Sequence, residues 1–398
     1  MAGMGIRSLE LARAVGTRFD VRLLVPNDPA EAAEVAGSIP VVGVRPDGDL
    51  AVAASGASAA VVSGHAANFW FHQAPAVPVA ADLYDPFPVE NLHYAATLGD
   101  GPARHDLATL RLSLARADFL LCASAEQRLF YAGALFAAGR IGPANFPRDP
   151  GLSELIAIVP FGVPGRAAEG DRLAGRKAVG ASPDGPLVLF GGIYDWNDPE
   201  LLLDAWPLVR REQPEARLVF LDSPNPDTTP QQVHARTRAR ARSLDPGGAS
   251  ILFSRWVPYS ERENLYAASD VIVSISSDGL ETDLAYRTRL LDAAWAGVPS
   301  VSVAGGALAR ELADAGAGWR VGRSSEALAC AVIAALEPER RAQASRAARE
   351  YAAERSWETV TAPLLAWCAG ARVDENRLPF PTPPEPRLWQ RLTRRVLP

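Results

Sequence analysis

The sequence predicts an α/β protein of two doubly wound domains, and three observations support this fold class. Short apolar runs typical of buried parallel strands alternate with helical stretches. This alternation starts twice, near Phe19 and again at Gly185. A segment rich in Gly, Ala and Pro, about residues 161–186, separates the two rounds and is expected to be a linker. The 398 residues suffice for two domains, each with its own core.

The amino-acid composition is typical of a globular protein and argues against several functional classes. Hydrophobic residues make up 48% of the chain, and the net charge of -6 argues against a nucleic-acid binder, which needs a basic stripe. No apolar run is long enough to span a bilayer and the N-terminus does not resemble a signal peptide, so we expect a cytoplasmic protein. Lys177 is the only lysine, and a phosphate clamp would therefore consist of arginine.

The cysteines indicate a reducing compartment. They are odd in number and far apart, without a Cys-x-x-Cys pattern. We therefore expect Cys122, Cys330 and Cys368 to be buried free thiols, with no zinc site and no disulfide framework.

The first half is expected to form a parallel sheet. Strands are predicted at residues 19–27, 39–45, 59–65, 77–84 and 117–124, and helices at 105–117 and 125–138. The chain opens on what looks like a glycine loop, Gly3 to Gly5, leading into an amphipathic helix. In a doubly wound domain such a loop follows a strand. We therefore expect that the first strand is missing and that the natural chain begins upstream with a Val/Ile/Leu-rich strand before Met1.

The second half repeats the pattern. Strands are predicted at residues 186–192, 216–223, 250–256, 270–276 and 298–304, and helices at 199–212, 229–243 and from 260 onward. The late stretch 354–368 reads as one further helix.

The stretch from Glu281 to Pro299 carries the most informative pattern. The strand at 270–276 leads into a polar loop, residues 277–283, and from Ala285 apolar residues recur at helical spacing. Leu290, Leu291, Ala294 and Trp295 form the apolar face, and Arg287, Arg289 and Asp292 fall outside it. This places a helix N-terminus at the carboxyl end of a parallel sheet, where its free N–H groups can bind a diphosphate and a carboxylate can accept ribose hydroxyls. The alternative is that Arg289 and Asp292 form only a surface ion pair.

This segment resembles the nucleotide-sugar site of family 4 (group 1) retaining glycosyltransferases, which have the GT-B fold. That family usually shows two acids around a Gly-rich loop, followed by Ala-Gly-x-Pro. Aligned on Gly297-Val-Pro299, the second acid is Asp292, and Glu281 or Asp283 must serve as the first.

The resemblance covers nearly the whole chain and implies two Rossmann-like, doubly wound domains facing a cleft. It implies an acceptor-side domain at residues 1–165 and a nucleotide-sugar domain at 185–350. A terminal helix over 351–372 would cross back to the first domain, followed by a Pro-rich and basic tail, 373–398.

The family's Arg and Lys pair that grips the diphosphate is absent, since Gly192 and Asn197 hold the aligned positions. We expect Arg287 and Arg289 to supply this charge from the opposite loop, because a guanidinium fork suits phosphate. The expected donor-binding residues are Gly191, Gly192, Arg287, Thr288, Arg289 and Asp292.

Polar residues end two predicted strands of the first half, where ligands bind in open α/β sheets. His65 ends one strand, and Asp82 and Asp85 end the next, with Asp82 near a position where the family often has a histidine. With Gly3 and Gly5 these residues would line the acceptor side. The expected catalytic residues are His65, Asp82, Glu281 and Asp283. Alternatively, Asp85 caps the turn before Pro86 and His65 is a hydrogen-bonded core residue.

Two further features of the sequence can each be interpreted as a functional site or as ordinary structure. Asp47-Gly-Asp49 matches the Asp-x-Asp of metal-dependent glycosyltransferases, but Asp-Gly is an ordinary hairpin turn and we expect no metal. The tail sets Trp389 and Leu392 beside four arginines, which could rest on an anionic membrane surface or simply pack on the protein.

The resemblance implies a glycosyltransferase that moves a hexosyl unit from a nucleotide diphosphate sugar to an acceptor hydroxyl with retention and without a cofactor. The acceptor would be a polysaccharide, a lipid-linked glycan or a natural product. Alternatives are a degenerate sugar-nucleotide-binding or scaffold protein without transfer activity, and a GT-B nucleotide-sugar epimerase or hydrolase.

Overall fold

A computed structural model describes residues 3–26, 28–45, 50–74, 76–222 and 230–381. The chain forms two compact units: the N-terminal unit, residues 4–160 and from Val360 onward, and the C-terminal unit, residues 161–359. Both are α/β structures with parallel sheets, as expected. Among the described residues, no helix combines the length and the apolar character needed to cross a bilayer. The Asp47–Asp49 turn and the tail beyond Pro381 lie outside the described residues.

The first half of the chain alternates short strands with helices. In order these are α1 Gly3–Gly16, β1 Leu23–Val25, α2 Pro29–Ala36, β2 Val41–Gly43, α3 Leu50–Ala53, β3 Ala60–Ser63, α4 Ala66–Gln73, β4 Val79–Asp82, α5 Phe87–Glu90, a 3₁₀ helix Asn91–Tyr94, α6 Ala95–Leu98, α7 Asp100–Arg116, β5 Phe119–Cys122, α8 Ala125–Ala138 and β6 Ile156–Ile158. All five strands predicted for this half are present, with narrower bounds.

The strands of the N-terminal unit fall into two sheets. β3, β4, β5 and β6 form a four-stranded parallel sheet in that order, and β1 pairs only with β2. β4 and β5 are buried throughout, as strands with neighbours on both sides should be. The three residues of β1 are only half-buried, so the expectation of a buried strand there is wrong. These two sheets are not paired with each other among the described residues, and the upstream strand stays a prediction.

The chain start differs from the expected loop. Gly3 and Gly5 lie in the first turn of α1, so the structure corrects the prediction of a glycine loop. Glycine costs a helix about 1 kcal/mol relative to alanine. Here the cost is offset by tertiary contacts, because Leu9 and Leu11 of α1 are buried and Arg7 is fully buried.

The second half begins with a helix inside the expected linker. In order the elements are α9 Arg172–Ala178, β7 Leu187–Phe190, α10 Pro199–Glu212, β8 Arg217–Leu221, α11 Gln232–Leu244, β9 Ile251–Ser254, a 3₁₀ helix Tyr259–Glu261, α12 Arg262–Ala268, β10 Val271–Ile275, α13 Leu280–Leu284, α14 Thr288–Trp295, β11 Ser300–Val303, α15 Gly306–Asp314, β12 Gly318–Val321, α16 Ser325–Leu336, α17 Pro338–Ala353, α18 Trp357–Val360 and α19 Ala362–Ala369.

The C-terminal unit has one continuous parallel sheet in the order β12-β11-β10-β7-β8-β9. The chain runs outward from β7 through β8 to β9, and then returns to the other side of β7 to lay down β10, β11 and β12. The strand order therefore reverses between β7 and β10. In open α/β sheets, ligands bind outside the carboxyl ends of the strands at this point.

The expected linker is part of the C-terminal unit. α9 packs on α12 so closely that a Cβ on Gly175 would lie 1.8 Å from the carbonyl oxygen of Asn264. Arg172 and Arg176 form ion pairs with the buried Asp270 carboxylate at the start of β10. The Gly, Ala and Pro content predicts a linker, but here glycine permits close helix packing.

The single late helix predicted at 354–368 is also corrected. It is interrupted between α18 and α19, where Thr361 precedes the first turn of α19 and Pro363 lies within that turn. Proline fits the first turn of a helix but cannot donate a hydrogen bond in its interior, which explains a new start here.

Candidate functional site

Two loops meet at the reversal of strand order in the C-terminal unit: the β7 loop, residues 191–198, and the β10 loop, residues 276–279. Asn197 and Ser276 form an antiparallel bridge, and the Ser277 N–H donates to the Trp196 carbonyl oxygen over 3.0 Å. Asp198 N–H donates to the Ile275 carbonyl oxygen over 3.1 Å. The two loops are thus fixed to each other by backbone hydrogen bonds.

The polar stretch predicted as a loop is partly helical. α13 begins after Gly279, whose φ of +152° lies in the region that favours glycine. α13 buries Glu281, which is 4% exposed, and leaves Asp283 exposed. The short helix therefore turns one acid of the expected pair inward and the other toward solvent.

Arg287 precedes α14 and is bound to Glu281. Its Nη2 lies 2.7 Å from Glu281 Oε2, and both side chains are largely buried, at 14% and 4% exposure. We had expected Arg287 to be free for a diphosphate, whereas the structure places it in this ion pair. Thr288 opens α14 and is half-buried.

Arg289 has no carboxylate partner within the described part of the chain. Its Nη1 donates to the Gly192 carbonyl oxygen over 3.1 Å, and its guanidinium carbon lies 5.2 Å from the centre of the Tyr194 ring. Gly191 makes room for it, since a Cβ there would lie 2.6 Å from Arg289 Nη1. A half-buried guanidinium therefore stands beside the β7 loop with its charge uncompensated by a carboxylate.

Asp292 lies one turn further along α14. Its Oδ1 is 3.5 Å from Arg262 Nε, and both side chains are mostly buried, at 14% and 13% exposure. Arg262, Arg289 and Asp292 all act electrostatically on the buried Tyr266, whose pKa is raised mainly by burial. Asp292 is thus paired with Arg262 across the site, and the alternative pairing with Arg289 is not seen among the described contacts.

The β7 loop is aromatic where the family has cations. The Tyr194 and Trp196 rings stack in parallel with centres 4.7 Å apart, and Gly192 packs against Trp256. The Asn197 side chain accepts a hydrogen bond from Tyr194 N–H over 2.9 Å, so it shapes the loop. Neither Gly192 nor Asn197 offers a charge.

Arg323, in the loop after β12, is a site residue that the sequence analysis missed. It donates to the Ser276 carbonyl oxygen and lies 2.5 Å from Asp198 Oδ2 and 3.3 Å from Asp278 Oδ2. It therefore ties together the β7 and β10 loops. No local pattern marks it, because it lies more than 40 residues along the chain from the loop it holds.

Asp82 in the N-terminal unit is buried in an ion pair. Arg7 Nε and Nη2 donate to its two carboxylate oxygens over 2.6 and 2.9 Å, and the side chains are 0% and 2% exposed. Arg7 also donates to the carbonyl oxygens of Val159 and Pro160. Asp82 is expected to be a catalytic residue, and the structure places it in this buried ion pair. Asp85, in the loop that follows, is half-buried.

His65 forms a polar cluster with residues of α7. Its Nε2 lies 3.1 Å from the buried Asp106 Oδ1, its Nδ1 lies 3.2 Å from Thr109 Oγ1, and its ring stacks on His105 at 4.7 Å. Burial, followed by the neighbouring His65, lowers the pKa of His105 to about 4. His65 itself is 41% exposed in its side chain, so it is neither a core residue nor a free one.

Only one cysteine matches the expected burial. Cys122 is buried, and burial raises the pKa of its thiol to about 12. Cys368 is half-buried and Cys330 is exposed, which corrects the prediction for these two. In the described ranges, no group of His, Cys, Asp and Glu has an arrangement that could hold a metal ion.

Comparison with known proteins concerns mainly the C-terminal unit. Residues 185–338 match the family described as Glycosyl transferases group 1. This part of the chain is therefore similar to a group 1 glycosyltransferase domain. The match includes the β7 loop, Glu281, Arg287, Arg289 and Asp292, so the candidate site lies within it.

Curated relatives match over part of the chain. A D-inositol 3-phosphate glycosyltransferase of Geodermatophilus obscurus is 32% identical over 223 residues, covering 54% of this chain and 47% of the relative. D-inositol 3-phosphate glycosyltransferase 2 of Catenulispora acidiphila is 28% identical over 50% of this chain and 46% of the relative. The chain thus spans about half the length of the curated relatives it matches.

Solved structures match nearly the whole chain. Anabaena HepE in complex with UDP and glucose superposes with a TM-score of 0.68 at 16% identity, covering 93% of this chain and 96% of HepE. WaaG, a glycosyltransferase involved in lipopolysaccharide biosynthesis, gives 0.61 at 18% identity over 92% and 95%. The predicted GT-B fold is confirmed.

Proposed function

We propose that this protein is a group 1 glycosyltransferase that moves a hexosyl unit from a nucleotide diphosphate sugar to an acceptor hydroxyl with retention. The proposal depends mainly on one observation. At the reversal of strand order, Arg289 stands beside the β7 loop without a carboxylate partner among the described residues. A cation left uncompensated at this point of an open α/β sheet is suited to an anionic group.

The neighbouring backbone supports the same assignment. α14 begins at Thr288, and no side chain caps its N-terminus. The first N–H groups of a helix have no partner within the helix and favour negative charge. The diphosphate of the donor would therefore lie between Arg289, the start of α14 and the Gly191–Gly192 backbone.

The remaining donor contacts follow from the same helix. Asp292 would accept the ribose hydroxyls, and Glu281, with the exposed Asp283 nearby in sequence, would contact the sugar. Arg289 and the helix N-terminus would stabilise the leaving diphosphate, a form of electrostatic catalysis that acts without a metal or cofactor. The donor's β-phosphate would take the acceptor proton.

The acceptor would bind the N-terminal unit near His65, with Asp85 as a further candidate. The names of the relatives support a polar, hydroxyl-rich acceptor, since those proteins are called D-inositol 3-phosphate glycosyltransferases. HepE was solved with UDP-glucose, which supports a uridine nucleotide as the first donor to test. Polysaccharides, lipid-linked glycans and natural products all satisfy this chemistry.

The test begins with melting temperatures in the presence of UDP, GDP, ADP and their glucose conjugates. We expect one base to stabilise the protein, because a ligand that binds only the folded state raises its stability. Transfer to a glycan acceptor is then followed by NMR, where the anomeric coupling of the product reports retention. No response to any nucleotide would contradict the proposal, and so would an inverted product.

The comparisons do not favour the alternative of a binding or scaffold protein without transfer activity, although Gly192 and Asn197 leave the β7 loop without a cation. Nucleotide binding without turnover would indicate this function, and consumption of donor without an acceptor would indicate an epimerase or hydrolase.

We also propose a cytoplasmic protein with peripheral membrane contact through the basic residues beyond Pro381. The segment just before them is held on the N-terminal unit, where Arg377 Nε donates to Asp118 Oδ1 over 2.6 Å and Arg116 donates to the Leu378 carbonyl oxygen. Flotation with phosphatidylglycerol vesicles tests this, and equal binding after removal of residues 382–398 would contradict it.

A further inference from the structure

Arg287 and Arg289 lie two residues apart but are used differently. Arg289 contacts a carbonyl oxygen and an aromatic ring, and in the described structure no carboxylate. Arg287 donates to Glu281 Oε2 over 2.7 Å in a pair that is almost wholly buried. A diphosphate that bound Arg287 would have to compete with this pair and leave a buried carboxylate without its partner, which is strongly unfavourable.

The ion pair is also incomplete. Arg287 Nε and Glu281 Oε1 are both buried, and neither has a hydrogen-bond partner among the residues described. A guanidinium and a carboxylate can form two parallel hydrogen bonds, yet only one is made here. A buried polar group left unpaired destabilises the folded state, and such groups in a native fold call for an explanation.

The surroundings of Glu281 fix its position. Thr282 Oγ1 donates to the Ser277 carbonyl oxygen over 2.6 Å, which ties α13 to the β10 loop. Arg287 holds the carboxylate from the other side, at the entrance to α14. The carboxylate is thereby held between the β10 loop and the helix that would bind the diphosphate. A carboxylate can accept hydrogen bonds from hydroxyl groups.

We propose that Arg287 is a positioning residue that orients the Glu281 carboxylate for the hydroxyls of the donor sugar, leaving the diphosphate charge to Arg289. This inference rests on the proposed function and divides its site into two parts. Glu281 and Arg287 select the sugar, whereas Arg289 and the N-terminus of α14 bind the phosphates whatever sugar is attached.

The experiment compares UDP-glucose with UDP by calorimetry, because the two ligands differ only in the sugar. Arg287→Ala is expected to lower the affinity for UDP-glucose about tenfold and that for UDP less than twofold, while Arg289→Ala lowers both by the same factor. Glu281→Gln keeps the shape of the side chain and should reproduce the selective loss of Arg287→Ala. The double variant should lose no more than either single change, since the two residues act as one unit.

Arg287→Lys keeps the charge and should recover part of the UDP-glucose affinity, which a purely structural role would not require. If Arg287→Ala does not fold, Glu281→Gln carries the same comparison. Equal losses for UDP and UDP-glucose would overturn the positioning role and leave the proposed function intact. Failure of the unchanged protein to bind either ligand would overturn both.

Discussion

The two units use charged residues near the carboxyl ends of their strands in different ways. In the N-terminal unit, Asp82 is enclosed by Arg7, and His65 is bound to Asp106 and Thr109. In the C-terminal unit, Arg289 of α14 is held by the Gly192 carbonyl oxygen beyond β7 and keeps its charge free of any described carboxylate. Similar α/β architecture can therefore use such a charge either to stabilise the fold or to remain available for a ligand.

The difference follows from how the strands are arranged in each unit. The C-terminal sheet is continuous and reverses its strand order between β7 and β10, which creates a site between two loops. The strands of the N-terminal unit are divided between two sheets, and Arg7 from α1 reaches the end of β4. Its charge satisfies Asp82 and two backbone carbonyl groups, so it contributes to packing.

The largest effect expected concerns the buried pair of the N-terminal unit. Asp82→Ala leaves Arg7 as an uncompensated buried charge and should lower the free energy of unfolding by about 3–5 kcal/mol. Asp100→Ala is the matched control, because Asp100 is 82% exposed and its pair with Arg104 is worth about 1 kcal/mol or less. Urea unfolding measures both variants. A loss as small as that of the control would remove the contrast between the units.

The second test concerns the C-terminal unit, where the comparison leaves a charge available for a ligand. Asp292→Ala should weaken UDP binding by about 1.5–3 kcal/mol, the range for a hydrogen bond to a charged group. Asp283→Ala serves as the control, since this exposed acid is expected near the sugar, which UDP lacks. Calorimetry measures the UDP affinity of both variants. Unchanged UDP affinity in a folded Asp292→Ala protein would assign Asp292 to its ion pair with Arg262 alone.

The third prediction uses pH to test how the polar cluster around His65 affects stability. Burial lowers the pKa of His105 from 6.5 to about 4, so the unfolded chain binds this proton more readily than the folded one. His105 should therefore destabilise the protein as pH falls from about 6.5 to about 4, by up to about 1.4 kcal/mol per pH unit. His105→Asn should reduce this slope in urea unfolding at several pH values. An identical slope in both proteins would contradict the prediction.

The smallest expected effect tests how Arg289 is held. A Cβ at Gly191 would lie 2.6 Å from Arg289 Nη1 and 2.7 Å from its Cδ, so Gly191→Ala must displace the side chain. We expect a loss of about 1 kcal/mol in UDP affinity, as for one weakened hydrogen bond. Gly247→Ala is the control, because nothing lies within 4 Å of a Cβ there. If both variants bind UDP equally well, the position of Arg289 does not matter for the phosphates.

Much of the architecture could be predicted from the sequence. α8 and α10 have the predicted bounds, and every predicted strand contains an observed one. Periodicity and turn residues report these elements directly, because apolar side chains must face a core at helical or strand spacing. The errors lie at Gly3–Gly5, at residues 161–186 and at the late helix, where tertiary packing outweighs local composition.

The candidate site was only partly predictable. Its location followed from the stretch between Glu281 and Pro299, since a strand, a polar loop and a helix follow one another there. The sequence did not predict which groups the charged side chains of the site contact. Arg287 pairs with an acid six residues away, Arg262 reaches Asp292 from another helix, and Arg323 joins loops from a distant strand end.

The sequence by itself determined the α/β class, the two rounds of strands and helices, and the segment that bears the site. These depend on local spacing, which each stretch of chain carries within itself. Only the tertiary structure decided which charges are compensated. An ion pair requires two side chains a few ångströms apart, and folding chose Glu281 for Arg287, Asp82 for Arg7 and a carbonyl oxygen for Arg289.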